Sequence, residues 1–216
     1  QVAALSYKLR HLGLRKGDRV VLISENRPEW CIADLAIMAA GCITVPTYTT
    51  NTERDHQHIL DNSGARAVVV STAKLARVLM PAVTRSDAKM VICMEPLRVG
   101  QQGDLAIYNW ADLVVDDEDR RADVENYVAD VTRDDIACVI YTSGTGGAPR
   151  GVKQHHGAIL HNIAGACDVL VNDFGLGDNE AFLSFLPLSH AYEHSAGQFL
   201  PIMAGAQIYY AEGLEK

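Results

Sequence analysis

Short apolar runs alternate with helical stretches along most of this chain. That alternation predicts an α/β fold, a mostly parallel sheet flanked by helices with right-handed crossovers. The run "IACVIYT" (Ile136 to Thr142) is apolar almost without interruption, as expected of a strand buried on both faces. The size fits as well: 216 residues, 48% hydrophobic and 21% charged, suffice for one large domain with a real core.

The elements follow in order. Val2, Leu5, Leu9 and Leu12 share one face of an opening helix. "RVVLIS" (Arg19 to Ser24) is a strand bounded by Gly17-Asp18 before and Asn26-Arg27-Pro28 after. Pro28, with its fixed φ, suits the first turn of a helix running to about Ala40. "CITVP" (Cys42 to Pro46) reads as the next strand, "ERDHQHILDNSG" as a helix closed by Gly64, and "RAVVVS" (Arg66 to Ser71) as a strand. A helix over Lys74 to Val83 and a strand over Lys89 to Met94 continue the rhythm, and the polar stretch around Gly100 to Gly103 reads as a loop. The acidic run Asp116 to Asp123 reads as a solvated surface segment. A break between two sub-units is placed at residues 116–130. Beyond it come the strand Ile136 to Thr142, a helix over about His156 to Val171, the strand "AFLSFLP", a helix from about Tyr192, and the strand "AQIYY" (Ala206 to Tyr210).

Composition removes several function classes. A net charge of −8 with no basic tract gives nucleic-acid binding little electrostatic support. No apolar run reaches the roughly 18 residues of a membrane span. Five cysteines, an odd number without a Cys-x-x-Cys pair, sit in apolar contexts and read as small core residues of a cytoplasmic protein. The chain starts at Gln1 already in a helical pattern and ends at "AEGLEK", which suggests a piece of a longer protein.

The segment "YTSGTGGAPRGV" (Tyr141 to Val152) carries the chemistry. It leaves the C-terminal end of a buried strand, where open α/β sheets place their ligand crevices. Four glycines allow backbone N–H groups to converge on an anion, three hydroxyls add donors, and Arg150 adds a planar cationic fork. This is the composition of a phosphate-binding loop. Neither Gly-x4-Gly-Lys-Ser/Thr nor Gly-x-Gly-x-x-Gly fits it. A second candidate is "PLSHAYEH", in which His190, Glu193 and His194 spell His-x-x-Glu-His, a zinc-hydrolase pattern. The preceding Leu-Pro-Leu-Ser would leave His190 at a strand–helix junction, so the two histidines would not share one helical face cleanly.

"YTSGTGGAPRGV" resembles the signature loop of the adenylate-forming superfamily, which contains acyl-CoA synthetases, aryl-CoA ligases, luciferases and peptide-synthetase adenylation domains. "FLPLSHAYEH" resembles the superfamily's next motif. Together with Glu25 to Thr52 it is most similar to the long-chain fatty acid–CoA ligase branch. The likeness runs essentially from Gln1 to Lys216. It implies part of an N-terminal AMP-binding domain of an enzyme that joins a fatty acid to the α-phosphate of ATP, expels pyrophosphate and passes the acyl group to coenzyme A.

By that resemblance Thr142, Ser143, Gly144, Thr145, Gly146, Gly147, Arg150 and Gly151 bind the phosphates, and Thr142 also ligates Mg²⁺. His190 faces the adenylate and acyl group, with Glu193 and His156 in supporting places and His194 a bystander. Two positions depart from the pattern: Gly146 stands for a threonine and Arg150 for a lysine. The family's later glutamate, ribose-binding aspartate and C-terminal lysine do not occur before Lys216, so this polypeptide alone is expected to be inactive. Aryl or medium-chain carboxylates, and a non-catalytic nucleotide-binding paralogue, stay open as alternatives. So do peripheral membrane contact and a homodimer of the full-length protein.

Overall fold

The computed structural model describes residues 1–97, 104–115, 120–142, 148–175 and 180–211. Its centre is a seven-stranded sheet in the order β5-β4-β3-β1-β2-β6-β7. The strands are β1 (Arg19–Ile23), β2 (Ile43–Thr47), β3 (Ala67–Val70), β4 (Met90–Cys93), β5 (Ala106–Asn109), β6 (Ile136–Thr142) and β7 (Arg150–His155). All neighbours pair in parallel except β6 and β7, which form an antiparallel edge. A second, two-stranded parallel sheet joins β8 (Ala181–Ser184) to β9 (Gln207–Tyr210).

The pleat sorts the core. Val20, Leu22, Val69 and Ile92 point to one face, where they meet α1 (Val2–His11) and α2 (Pro28–Ala39) through Leu5, Leu9, Trp30 and Ile37. Val21, Ile23, Val68, Val70 and Val91 point to the other, against Ile59 and Leu60 of α3 (Glu53–Ser63) and Leu75 and Leu79 of α4 (Ala73–Thr84). Strands covered on both faces need no polar positions, which is why they read as continuous apolar runs. A third cluster sets Cys138 and Ile140 of β6 against Ile159 and Ile163 of α7 (His156–Asn172).

Local chemistry accounts for the helix ends. Pro28 occupies the first turn of α2. Thr52 and Asp55 close a capping box on α3: the Asp55 N–H donates to Thr52 Oγ1 at 3.3 Å, and the Thr52 N–H to Asp55 Oδ2 at 2.9 Å. Gly64 ends α3 in the left-handed region at φ 61°, and Arg19 donates to the carbonyls of Ser63 and Gly64 at 2.7 and 2.6 Å.

Four elements were not expected. Strand β5, the short helix α5 (Trp110–Leu113) and α6 (Arg121–Ala129) lie in polar, weakly periodic sequence, and α6 has no buried residue. It rests on α1 through the Arg10 guanidinium, 4.9 Å from the Tyr127 ring centroid. Strand β7, expected as loop, is a mostly exposed edge without apolar alternation, held by its register with β6. The helix expected from Tyr192 is broken into α8 (Ala191–Glu193), one π-helical turn (His194–Phe199) and α9 (Leu200–Met203). On the far side of the acidic stretch, β6 joins the same sheet beside β2. Among the described residues no helix is long and apolar enough to cross a membrane.

Candidate active site

The C-terminal ends of β2 and β6 border a cavity of about 440 Å³. Pro46 and Thr47 of β2 and the following Tyr48 line it, with Ile140, Tyr141 and Thr142 from β6, and His190 and Ala191 from the start of α8. Two residues singled out from separate motifs, Thr142 and His190, therefore meet in one cavity at the sheet edge where α/β folds bind ligands. Ser143, Gly144, Thr145, Gly146 and Gly147 lie outside the described residues. Arg150 pairs in register with Thr142, and Gly151 with Tyr141. Neither is among the residues lining the cavity. Gly151 has a packing reason of its own: a Cβ there would stand 2.8 Å from Val139 Cγ1 and 3.1 Å from the Tyr141 ring.

Helix α3 borders the same cavity through Asp55 and Ile59. Hydrogen bonds from Thr52 hold the Asp55 carboxyl below its usual range, the backbone N–H contributing most. Along α3, the His58 Nε2–H donates to the Pro149 carbonyl at 2.8 Å, and Tyr141 Oη donates to Asn62 Oδ1 at 2.7 Å. Burial raises the Tyr141 phenol.

The "PLSH" corner is fastened from the end of β1. Asn26 Nδ2 donates to the Leu186 carbonyl at 2.6 Å and to Ser184 Oγ at 3.2 Å, while Asn26 Oδ1 accepts from the Leu188 N–H at 2.9 Å. This single side chain joins the two sheets. His190 is exposed and caps α8, its Nδ1 accepting from the Tyr192 N–H at 3.2 Å. Glu193 is 3% exposed, and its Oε1 accepts from the Phe185 N–H at 3.2 Å.

The zinc reading fails on geometry. His190 faces solvent, whereas His194, one turn on, is 1% exposed and donates from Nε2 to Asp34 Oδ2 at 2.8 Å. Gln198 Nε2 donates to the same oxygen at 2.7 Å. Among the described residues no group of three His, Cys, Asp or Glu side chains gathers as a metal site. His194 was expected to be a bystander, but it is the hub of a buried network. Its Nδ1 lies 3.9 Å from the Cys138 thiol of β6, whose ionisation burial disfavours, and its ring stacks edge-on against Trp30. His156 opens α7 half-buried, its imidazole pushed below the ordinary value by burial.

A second, more apolar hollow of about 730 Å³ lies between α7, β8 and the π-helical turn, lined in part by Leu170, Phe182, Phe185, Tyr192, Glu193 and Leu200. The two cavities flank opposite ends of one short helix, α8. His190 and Ala191 belong to the first, Tyr192 and Glu193 to the second.

The AMP-binding enzyme family model matches residues 1–216. The chain belongs to this family. It is 32% identical over 190 residues to the long-chain-fatty-acid–CoA ligase FadD15 of Mycobacterium tuberculosis, covering 88% of this chain and 30% of that protein. It is 30% identical over 181 residues to the mouse long-chain-fatty-acid–CoA ligase 6, covering 81% of this chain and 26% of that protein. The fold likeness extends to solved structures. A luciferase-like enzyme from the mealworm Zophobas morio superposes with a TM-score of 0.79 at 17% identity, over 99% of this chain and 46% of that one. A protein titled as a putative long-chain-fatty-acid CoA ligase from Rhodopseudomonas palustris gives 0.72 at 22% identity, over 99% and 49%. The chain thus spans about 30% of the length of the curated relatives it matches.

Proposed function

We propose that this chain is the phosphate- and carboxylate-binding part of an AMP-forming fatty acid–CoA ligase. One observation carries the reading. A cavity at the end of β6 that carries Asp55, Thr142 and His190, and a more apolar hollow beside α7, flank opposite ends of the single turn from His190 to Glu193. A molecule with a charged head and a long apolar tail needs that pairing of environments.

In this reading a carboxylate oxygen of the fatty acid attacks the α-phosphorus of ATP, and the bond to pyrophosphate breaks. The coenzyme A thiol then attacks the acyl carbonyl, loses its proton, and AMP leaves. The chain's own contribution is binding and orientation. Thr142 and the glycine- and hydroxyl-rich residues Ser143 to Gly147, with Arg150 and Gly151, hold the departing phosphates and offset their charge. His190 orients the reacting carboxylate at the junction of the two cavities, and Glu193 and His156 steady the helices that flank it.

Mg²⁺ is compatible with this site: Thr142 ends a strand as an exposed residue at the cavity, and its hydroxyl is one hard oxygen ligand for an ion that takes most of its shell from phosphate and water. When bound it would neutralise charge on the phosphates. The free cysteines, four of the five buried, support a cytoplasmic setting.

The test is ATP–pyrophosphate exchange by the full-length protein with a series of carboxylates. Stimulation by palmitate, lost by roughly 100-fold in His190→Ala, is the expected result. Exchange driven by benzoate or octanoate instead would reassign the substrate class, and no exchange with any carboxylate would overturn the reading.

A further inference from the structure

Helix α3 touches both ends of the phosphate segment. Tyr141, the residue before Thr142, reaches Asn62, and Pro149, the residue before Arg150, is held by His58. His58 and Asn62 stand four residues apart and so share one face of the helix. The His58 ring also meets Tyr141 edge-on, with centroids 6.2 Å apart and planes at 87°. Both grips therefore converge on one spot beside the cavity.

The helix making these grips is stiffly mounted. Its N-terminus is closed by the Thr52–Asp55 capping box, and its C-terminus by Gly64 and the Arg19 guanidinium. Its buried side is seated by Ile59 and Leu60. From its exposed side, Gln57 Oε1 and Glu53 accept hydrogen bonds from Arg85 at 3.0 and 2.6 Å. A helix fixed at both ends transmits position rather than absorbing it.

We propose that α3 is the mount of the phosphate segment, with His58 and Asn62 as positioning residues that set where its two ends stand. This rests on the assignment of Thr142 to Gly151 as the triphosphate site. The β6–β7 ladder sets the spacing of the two strands, Thr142 against Arg150. Pairing with β2 brings β6 and Thr142 to the cavity. The contacts to α3 add a second fix there, at Tyr141 and at Pro149, because α3 also lines the cavity through Asp55 and Ile59. Losing a grip should therefore weaken ATP binding while leaving carboxylate binding alone. A residue that mattered only for folding would not separate the two.

The experiment uses full-length protein carrying His58→Ala, His58→Gln, Tyr141→Phe or Asn62→Ala. It reads KM for ATP, KM for palmitate and amide hydrogen exchange of the peptide covering residues 141–152. His58→Ala should raise the ATP KM by about tenfold, the worth of one well-placed hydrogen bond, and speed exchange in that peptide. The palmitate KM should stay unchanged. His58→Gln, which keeps an N–H donor, should recover most of the loss, and Tyr141→Phe should repeat it in milder form. A folded His58→Ala protein with wild-type ATP KM and exchange would overturn the proposal. So would parallel losses for ATP and palmitate with a lowered Tm. If wild-type protein shows no pyrophosphate exchange at all, the assigned reaction fails, and the mount is judged on amide exchange alone. Unchanged protection of residues 141–152 in His58→Ala would then overturn it.

Discussion

The buried contact between Asp34 and His194 yields the sharpest stability prediction. Replacing His194 by alanine removes the N–H that Asp34 Oδ2 accepts at 2.8 Å and leaves that oxygen with Gln198 alone. The Asp34 side chain is fully buried, so water cannot take the place of the lost donor. Leaving such a group short of a partner costs about 1–3 kcal/mol. The missing ring also opens a void against Trp30 and Phe199, whose centroids lie 5.5 and 4.8 Å away. A void of about 60 Å³ adds about 1.5 kcal/mol at about 24 cal/mol per Å³. The total, about 2.5–4.5 kcal/mol, should appear as a fall in the urea midpoint at constant slope. His194→Gln keeps a donor and much of the volume, so it should lose less than half as much. The triple change Asp34→Leu, His194→Phe and Gln198→Leu removes every polar group of the network and should recover most of the alanine loss. If His194→Ala stays within about 1 kcal/mol of wild type, the network is incidental and the reasoning fails.

Three further expectations follow from the same structure. His56 is 1% exposed, and burial pushes its imidazole from 6.5 down to about 4, so the unfolded chain takes the proton first. Its contribution is intact above pH 6.5 and is lost as pH falls toward 4, in all about 3 kcal/mol. His56→Gln should flatten the stability curve over that window, and a curve parallel to wild type would contradict the assignment. Asn26→Ala breaks three hydrogen bonds between the sheets and should cost about 2–3 kcal/mol. It should also raise the carboxylate KM, because the corner carrying His190 loses its anchor; thermal melts and steady-state kinetics check both. Gly64→Ala places a Cβ 2.7 Å from the Arg19 guanidinium at φ 61°, and should lower stability by about 1–2 kcal/mol in urea titration.

Much of this protein could be read from local signals. Strands β1, β3 and β4 stand out because burial on both faces makes them uniformly apolar, and β6 was placed from Ile136 to Thr142 as observed. Helices α2 and α3 announce themselves through Pro28 and Gly64, whose backbone preferences act within a residue or two. The family resemblance is legible for the same reason: Tyr141 to Val152 is a contiguous stretch, so its residue types and spacing can be read without any distant partner. What tertiary structure alone decided involves long separations. Strand β7 looks polar and unstructured until β6 lies beside it. Asn26 looks like a turn residue until the second sheet arrives 158 residues later. His194 matches a metal ligand in spelling, and only packing shows that its ring turns inward to Asp34 while His190 turns outward to the cavity. Periodicity and capping are one-dimensional properties that a chain displays on its own. A hydrogen-bond partner 160 positions away is chosen only when the fold brings it there and shuts water out.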